Sequence, residues 1–280
     1  MPWTFAHPAA VLPLRRWCGA SGLSFAGLVA GSISPDLLYY VGRFDLGRHT
    51  HTPLGILLLC VPLGWLALTA ARAMREPVAR LLPEPHRSAL LAISDEAAPS
   101  CSRDGRLAAT LRLVASLALG AATHVVWDAF THDHRFFVEQ WPVLRTPLFP
   151  LLGGEVRVFG VLQYASSVLG VAALAIAYAR WLRRGRAGPA TASAARPDGI
   201  DPSDRVAERR RYIRLGWLAL LSIGGAVSLV AIESALGVID ATASRAVVRS
   251  VTYAGTWFFA LLVAVAWWSG RRARTPASSN

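Results

Sequence analysis

Five runs in this sequence are apolar for about the 20 residues that a helix needs to cross a lipid bilayer. They fall at roughly 54–71, 107–130, 159–182, 213–236 and 249–269. Inside a bilayer every backbone N–H and C=O must be satisfied within the span, so few folds are open to such a chain. The expected class is all-α: a polytopic membrane helical bundle of about five spanning helices, with an N-terminal hairpin of short helices. Composition points the same way. Hydrophobic residues make up 54% of the chain and charged ones only 16%, too apolar for an ordinary soluble domain. The expected organisation is a membrane domain over 1–182 that carries the polar motifs and a cytoplasmic linker over 183–212. A two-helix membrane segment over 213–270 and a tail over 271–280 follow.

The net charge of +12 comes from 29 basic residues, every one of them arginine. A nucleic-acid partner is not expected, because these arginines gather just beyond the apolar runs, where they act as a topology signal. Loops 72–106 and 183–214 and the C-terminal tail are the basic ones, and are expected to be cytoplasmic. Loops 131–158 and 237–248, and the segment before the first span, then lie outside. The expected location is a bacterial cell (inner) membrane, crossed several times, with the lipid bilayer as the main partner; oligomeric state is not legible. Cys18, Cys60 and Cys101 are scattered and form neither a zinc motif nor a disulfide framework. Pro8, Pro13, Arg15 and Arg16 break the first apolar stretch, so it does not read as a cleavable signal peptide.

The polar residues are few, and their placement is informative. Residues 120–134 close the second apolar run and carry His124, Asp128, His132, Asp133 and His134. On a helix His124, Asp128 and His132 stand at i, i+4 and i+8 and share one face. Eight residues rise about 12 Å, so His124 and His132 cannot both reach one ion. The expectation is one metal held by a neighbouring pair, or two metals side by side. A second short helix stops at Ser34-Pro35-Asp36, because the residue before proline disfavours the helical region. The N-terminal hairpin would bring His7 and Asp36 to one end. His49 and His51 flank Thr50, so an extended segment would face both the same way. With the charge-derived topology, six of the seven histidines and two aspartates meet at one membrane face. His86 reads as surface, and Glu233 as interfacial or buried.

Histidine and carboxylate clusters suit Zn²⁺ or a similar first-row ion, with Mn²⁺ an alternative. The expected metal ligands are His7, Asp36, His51, His124 and Asp128. His49, His132 and His134 are the candidate catalytic acid/base groups, or further ligands. No G-x-S-x-G nucleophile motif is present, and a metal-dependent hydrolase needs none.

Four elements carry a resemblance: the opening Met-Pro-Trp-Thr-Phe-Ala-His-Pro-Ala-Ala, Gly31-Ser-Ile-Ser-Pro-Asp36, His49-Thr-His-Thr52 and His124-Val-Val-Trp-Asp-Ala-Phe-Thr-His132. Together and in this order they look like bacterial membrane proteins of domain-of-unknown-function family 4184. The chain is more distantly similar to membrane-bound predicted metal-dependent hydrolases, which also carry an early His, a Pro-Asp and a later His-x-x-x-Asp. The order of these residues is similar, too, to that of the zinc-dependent phospholipase C and single-strand nuclease fold. That likeness implies a phosphodiesterase with several zinc ions, although the second His-x-x-x-Glu of that fold is missing here. The resulting expectation is hydrolysis of a phosphoester on a lipid or envelope precursor, at a metal site on the extracytoplasmic interface. The competing expectation is a non-enzymatic membrane scaffold, sensor or transporter accessory protein.

Overall fold

The computed structural model describes residues 4–93, 103–151, 154–186, 202–235 and 243–272. Helices dominate it. In chain order they are α1 (Pro8–Val11), α2 (Arg15–Ser21), α3 (Phe25–Ile33), α4 (Leu37–Tyr40), α5 (Phe44–Gly47), α6 (Pro53–Gly55), α7 (Val61–Ala79), α8 (His86–Leu91), α9 (Arg103–Thr131) and α10 (Phe136–Gln140). A two-stranded antiparallel hairpin, β1 (Pro147–Leu151) and β2 (Gly154–Arg157), precedes α11 (Val158–Arg186), α12 (Pro202–Ala235) and α13 (Ala243–Arg272). Among the described residues four helices are long and apolar enough to cross a membrane: Pro53–Ala79, Asp104–Gln140, Val158–Arg184 and Val206–Ser234. The fifth expected span lies in α13, whose apolar part, Tyr253–Trp268, is shorter. This is the architecture of a multi-pass, all-α membrane protein. Its spans expose Leu57, Leu58, Leu66, Val168, Leu169 and Ile176, side chains that a bilayer solvates and water does not.

The chain forms two compact units, Met1–Ala70 with Asp95–Tyr178, and Ala71–Ser94 with Ala179–Asn280. In the first, α3 packs along α9. Gly22, at φ 68° and left-handed, ends α2 and turns the chain into α3. Ser24 caps α3 by accepting from the Gly27 N–H at 2.9 Å, while its own N–H donates to Ser116 Oγ on α9 at 2.9 Å. Two glycines then let the backbones close. A Cβ at Gly31 would collide with the Leu117 carbonyl, and one at Gly120 with the Leu28 carbonyl and Ser32. Small residues at such crossings are how helices approach inside membranes. Ala30, Val61, Leu68 and Leu117 form the core beside this contact.

Around Pro62, which has no N–H to give, the helix running from Pro53 to Ala79 widens into a π segment, Ile56–Cys60. The loop expected after the first span starts later than its composition suggests. Helix α7 runs on to Ala79 with Pro77 inside it, and α8 follows. The loop expected over 131–158 is likewise structured, by α10, a 3-10 turn and the hairpin.

The second unit is built on α12 against α13, with Leu81, Leu218, Leu262 and Ala266 at its centre. Glu233 is partly buried here. It accepts from Arg249 at 2.9 Å and from the Tyr253 hydroxyl at 2.9 Å, a polar tie between the two helices.

Candidate metal centre

Four separate pieces of the first unit deliver the polar residues to one point. His7 sits at the N-terminal end of α1, between the Thr4–Ala6 turn and Pro8. Asp36 ends the 3-10 turn Ser34–Asp36, forced at the close of α3 by Pro35. His51 ends the 3-10 turn His49–His51, whose continuation is set by Thr52 capping the next helix at Gly55 N–H, 3.0 Å. His124 and Asp128 lie one turn apart on α9. All five are buried, from 0% exposed at His124 to 7% at His51.

One ligand atom from each of Asp36, His51, His124 and Asp128 lies within 4.8 Å of the others. His51 Nε2 is 3.6 Å from Asp36 Oδ1 and 3.4 Å from Asp128 Oδ2. His124 Nε2 is 3.6 Å and 3.3 Å from the same two oxygens. These separations exceed ordinary N–H···O hydrogen bonds, which run to about 3.2 Å. They match the edges of a tetrahedron of N and O ligands about 2.0–2.2 Å from a zinc-sized ion, which are about 3.3–3.6 Å long.

The outer hydrogen bonds orient these rings. Nδ1 of His124 is 2.8 Å from the Ser32 carbonyl oxygen, and Nδ1 of His51 is 3.0 Å from that of Gly47. A carbonyl only accepts, so each Nδ1 carries the proton and each Nε2 turns toward the carboxylates. This is the usual second layer of a metal-bound histidine. Asp36 is held in the same manner: the Thr4 hydroxyl donates to Oδ2 at 2.6 Å and leaves Oδ1 facing the rings. The buried polar atoms without a hydrogen-bond partner among the described residues are His7 Nε2, Asp36 Oδ1, His124 Nε2 and Asp128 Oδ1. Buried atoms of this kind are rare unless a ligand takes them up. The donor set therefore fits a divalent cation.

Electrostatics show how the metal-free cluster is balanced. Burial works against the charge of Asp36, but His124 and His51 outweigh it and hold the carboxyl below the usual carboxylate range. Burial also opposes a proton on His51; there Asp128 and Asp36 win and raise it above 6.5. His7 goes the other way. Burial, with His124 stacked on it at 3.6 Å between ring centroids, lowers it to about 3.

The remaining candidates separate. His132 is half-buried, with Nδ1 3.4 Å from Asp128 Oδ1 and Nε2 3.2 Å from the Gln163 amide. His49 and His51 do not face the same way, because the segment is a 3-10 turn and not extended chain. A two-residue step in such a turn rotates the side chain by about 240°. His51 therefore points inward and His49 lies exposed outside the cluster. His134 is also exposed, 87% at its side chain, beside Asp133 and Glu139. Thr4, the Ser32 and Gly47 carbonyls and Gln163 were not singled out by the sequence. The carbonyls have no sequence signature at all, and Thr4 differs from any helix-entry threonine only by standing three residues before His7.

A cavity of about 360 Å³ reaches the cluster from one side. Ala9, Ala10, Trp127, Leu169 and Ala173 line it, and His7 stands in its wall. The Trp127 indole N–H donates to Ser166 Oγ at 3.1 Å and ties α9 to α11 beside it.

Over residues 1–267 the sequence matches the family model described as Domain of unknown function (DUF4184). The chain belongs to this family. No curated protein and no solved structure matches it. The buried residues His7, Asp36, His51, His124 and Asp128, and His132 beside them, all fall inside the residues that match the DUF4184 family.

Proposed function

We propose that this protein is a metal-dependent hydrolase of the bacterial inner membrane, acting on a phosphoester carried by a lipid or envelope precursor. The observation that supports it most is the buried Asp36, His51, His124 and Asp128 group, whose nitrogen–oxygen separations of 3.3–3.6 Å suit an ion and in which Asp36 Oδ1 and His124 Nε2 have no hydrogen-bond partner. Asp36, His51, His124 and Asp128 would hold Zn²⁺, with Mn²⁺ the alternative. When bound, such an ion makes water nucleophilic near neutral pH and polarises a phosphoryl oxygen. The chain's own groups supply the rest. Ser32 and Gly47 carbonyls fix the two ring tautomers, and Thr4 fixes Asp36. His132, half-buried with Nδ1 3.4 Å from Asp128 Oδ1, would serve as a proton carrier or as a further ligand. The apolar cavity at His7 suits a hydrocarbon chain whose polar end reaches the cluster. The arginine placement supports an extracytoplasmic position for this end of α9. His49 and His134 point to solvent and take no part in this proposal.

A second reading has its own support. Four protein ligands close a tetrahedral ion, as structural zinc sites do, which favours a non-enzymatic scaffold or sensor. One experiment separates the two. Detergent-purified protein loaded with Zn²⁺ or Mn²⁺ is incubated with lipid-linked phosphomonoesters and phosphodiesters, and released product is measured. The expected result is turnover that Asp128→Asn lowers by at least about a hundredfold. Metal-loaded protein that turns over none of them, or turnover indifferent to Asp128→Asn, would contradict the hydrolase and leave structural zinc.

A further inference from the structure

Asp128 has a second face that the four-ligand cluster does not use. Its Oδ2 serves His51 and His124 at 3.4 and 3.3 Å. Its Oδ1 is buried, has no hydrogen-bond partner, and faces a different pair: His7 Nε2 at 3.6 Å and His132 Nδ1 at 3.4 Å. We propose that His7, Asp128 and His132 form a second divalent-cation site, with the Asp128 carboxylate bridging two ions. This rests on the single-ion site proposed above and extends it to a binuclear centre.

Three features carry the inference. The first is spacing, since both nitrogen–oxygen separations again lie beyond hydrogen bonding and on the edge length of a metal polyhedron. The second is the orphaned pair. His7 Nε2 and Asp128 Oδ1 are both buried and unpartnered although they face each other, and a cation between them resolves both. The third is the outer contact of His132. Its Nε2 lies 3.2 Å from the Gln163 amide, whose oxygen and nitrogen can exchange places by a flip. Gln163 then accepts from Nε2–H and leaves Nδ1 as a lone pair 3.4 Å from Asp128 Oδ1 and 3.2 Å from the Thr131 hydroxyl. That hydroxyl also reaches the Trp127 carbonyl at 3.2 Å, so it can give up Nδ1 to a cation, the arrangement a metal-bound histidine needs. The periodicity of α9 accounts for this division. Asp128 stands midway between His124 and His132, one turn from each, so each of its oxygens meets one of them.

A pair of ions sharing a carboxylate, about 3.5–4 Å apart, is the arrangement that phosphoester-cleaving centres use to hold both the attacking and the leaving oxygen. Here only His7, His132 and the shared Asp128 would hold the second ion, so it keeps more open positions than the four-ligand ion. His7 also stands in the wall of the apolar cavity, so those positions adjoin the space where a substrate would enter.

The test uses the full chain in detergent, stripped with chelator and titrated with Mn²⁺. Bound manganese is counted, and low-temperature electron paramagnetic resonance reads whether the ions are coupled. The expected result is about two Mn²⁺ per chain with an exchange-coupled spectrum. His132→Ala, and His7→Phe, which keeps a ring stacked on His124, should each fall to about one Mn²⁺ with the six-line spectrum of an isolated ion. One Mn²⁺ and a six-line spectrum in the unaltered protein would overturn the second site and leave the first standing. Two coupled ions that survive both substitutions would also overturn it, since the pair would then be held elsewhere. No bound manganese, and no bound zinc in a parallel Zn²⁺ titration, would overturn both. The decisive readout is made on the unaltered protein, so a variant that fails to fold does not blunt it.

Discussion

The residues of the cluster are held by partners that never touch an ion. Thr4 is the clearest case. Its hydroxyl fixes one oxygen of Asp36 at 2.6 Å and so aims the other at His51 and His124. Thr4→Val keeps the shape and removes the donor. Metal affinity should fall by about 10–100-fold while the helical content stays unchanged, measured by competition with a zinc chelator. Proton competition works at the same scale. Asp128 and Asp36 keep a proton on His51 above its ordinary range, so an arriving cation must displace it. Metal binding should therefore release protons and weaken on acidification, which titration calorimetry in buffers of different ionisation enthalpy will show. His7 has the opposite shift, from 6.5 to about 3. In the metal-free protein its contribution to stability is present above pH 6.5 and is lost as pH falls toward 3, because the unfolded chain takes up the proton first. The His51 contribution runs the other way: it is present below 6.5 and is lost as pH rises through its raised value. Melting curves in chelator should show His7→Phe flattening the acid-side loss between about pH 7 and pH 4. The members of the cluster were legible because histidine and aspartate are scarce and expensive in an apolar chain. Which of them face inward was not. His49 and His51 are alike in sequence, and only the 3-10 turn separates them.

At the scale of elements, the centre depends on how closely α3 approaches α9. Gly31 and Gly120 allow the Ser32 carbonyl to reach His124 Nδ1 at 2.8 Å. A side chain at Gly120 meets backbone on α3, which cannot swing away. Gly120→Val should cost about 1–3 kcal/mol of stability. It should also weaken metal binding, because His124 loses the carbonyl that sets its tautomer. Thermal melting and metal titration on the same sample check this, and unchanged affinity would uncouple the crossing from the centre. The helices themselves were largely legible. Long apolar runs, Pro35 after Ser34 and the glycine turn at 22 each have a direct physical consequence for the backbone. The stretch 131–157 was not, because Pro142, Pro147 and Pro150 read as loop signals. The hairpin forms all the same, with a register shift between Pro147 and Phe149. Pro77 misled in a similar way. The bonds of the surrounding turns carry α7 past it to Ala79.

For the whole molecule, bilayer and buried charge belong to one account. Four candidate spans make an apolar exterior. In such a setting a cluster of two carboxylates and several imidazoles persists only if something compensates it. Protons do so in part, and the distances leave room for a cation. Membrane character could be read from composition alone, whereas convergence of the site required a topology, which the arginine distribution supplied. The identity of the substrate has no comparable signal in either sequence or fold. Whether a buried cation completes this cluster is read by metal analysis. The protein is purified in detergent without chelators beside the His124→Ala/Asp128→Ala double variant, and the bound metal per chain is measured. Stoichiometric zinc or manganese in the protein, lost from the variant, is the predicted result. Metal-free protein, or metal content that the two substitutions leave unchanged, would contradict it.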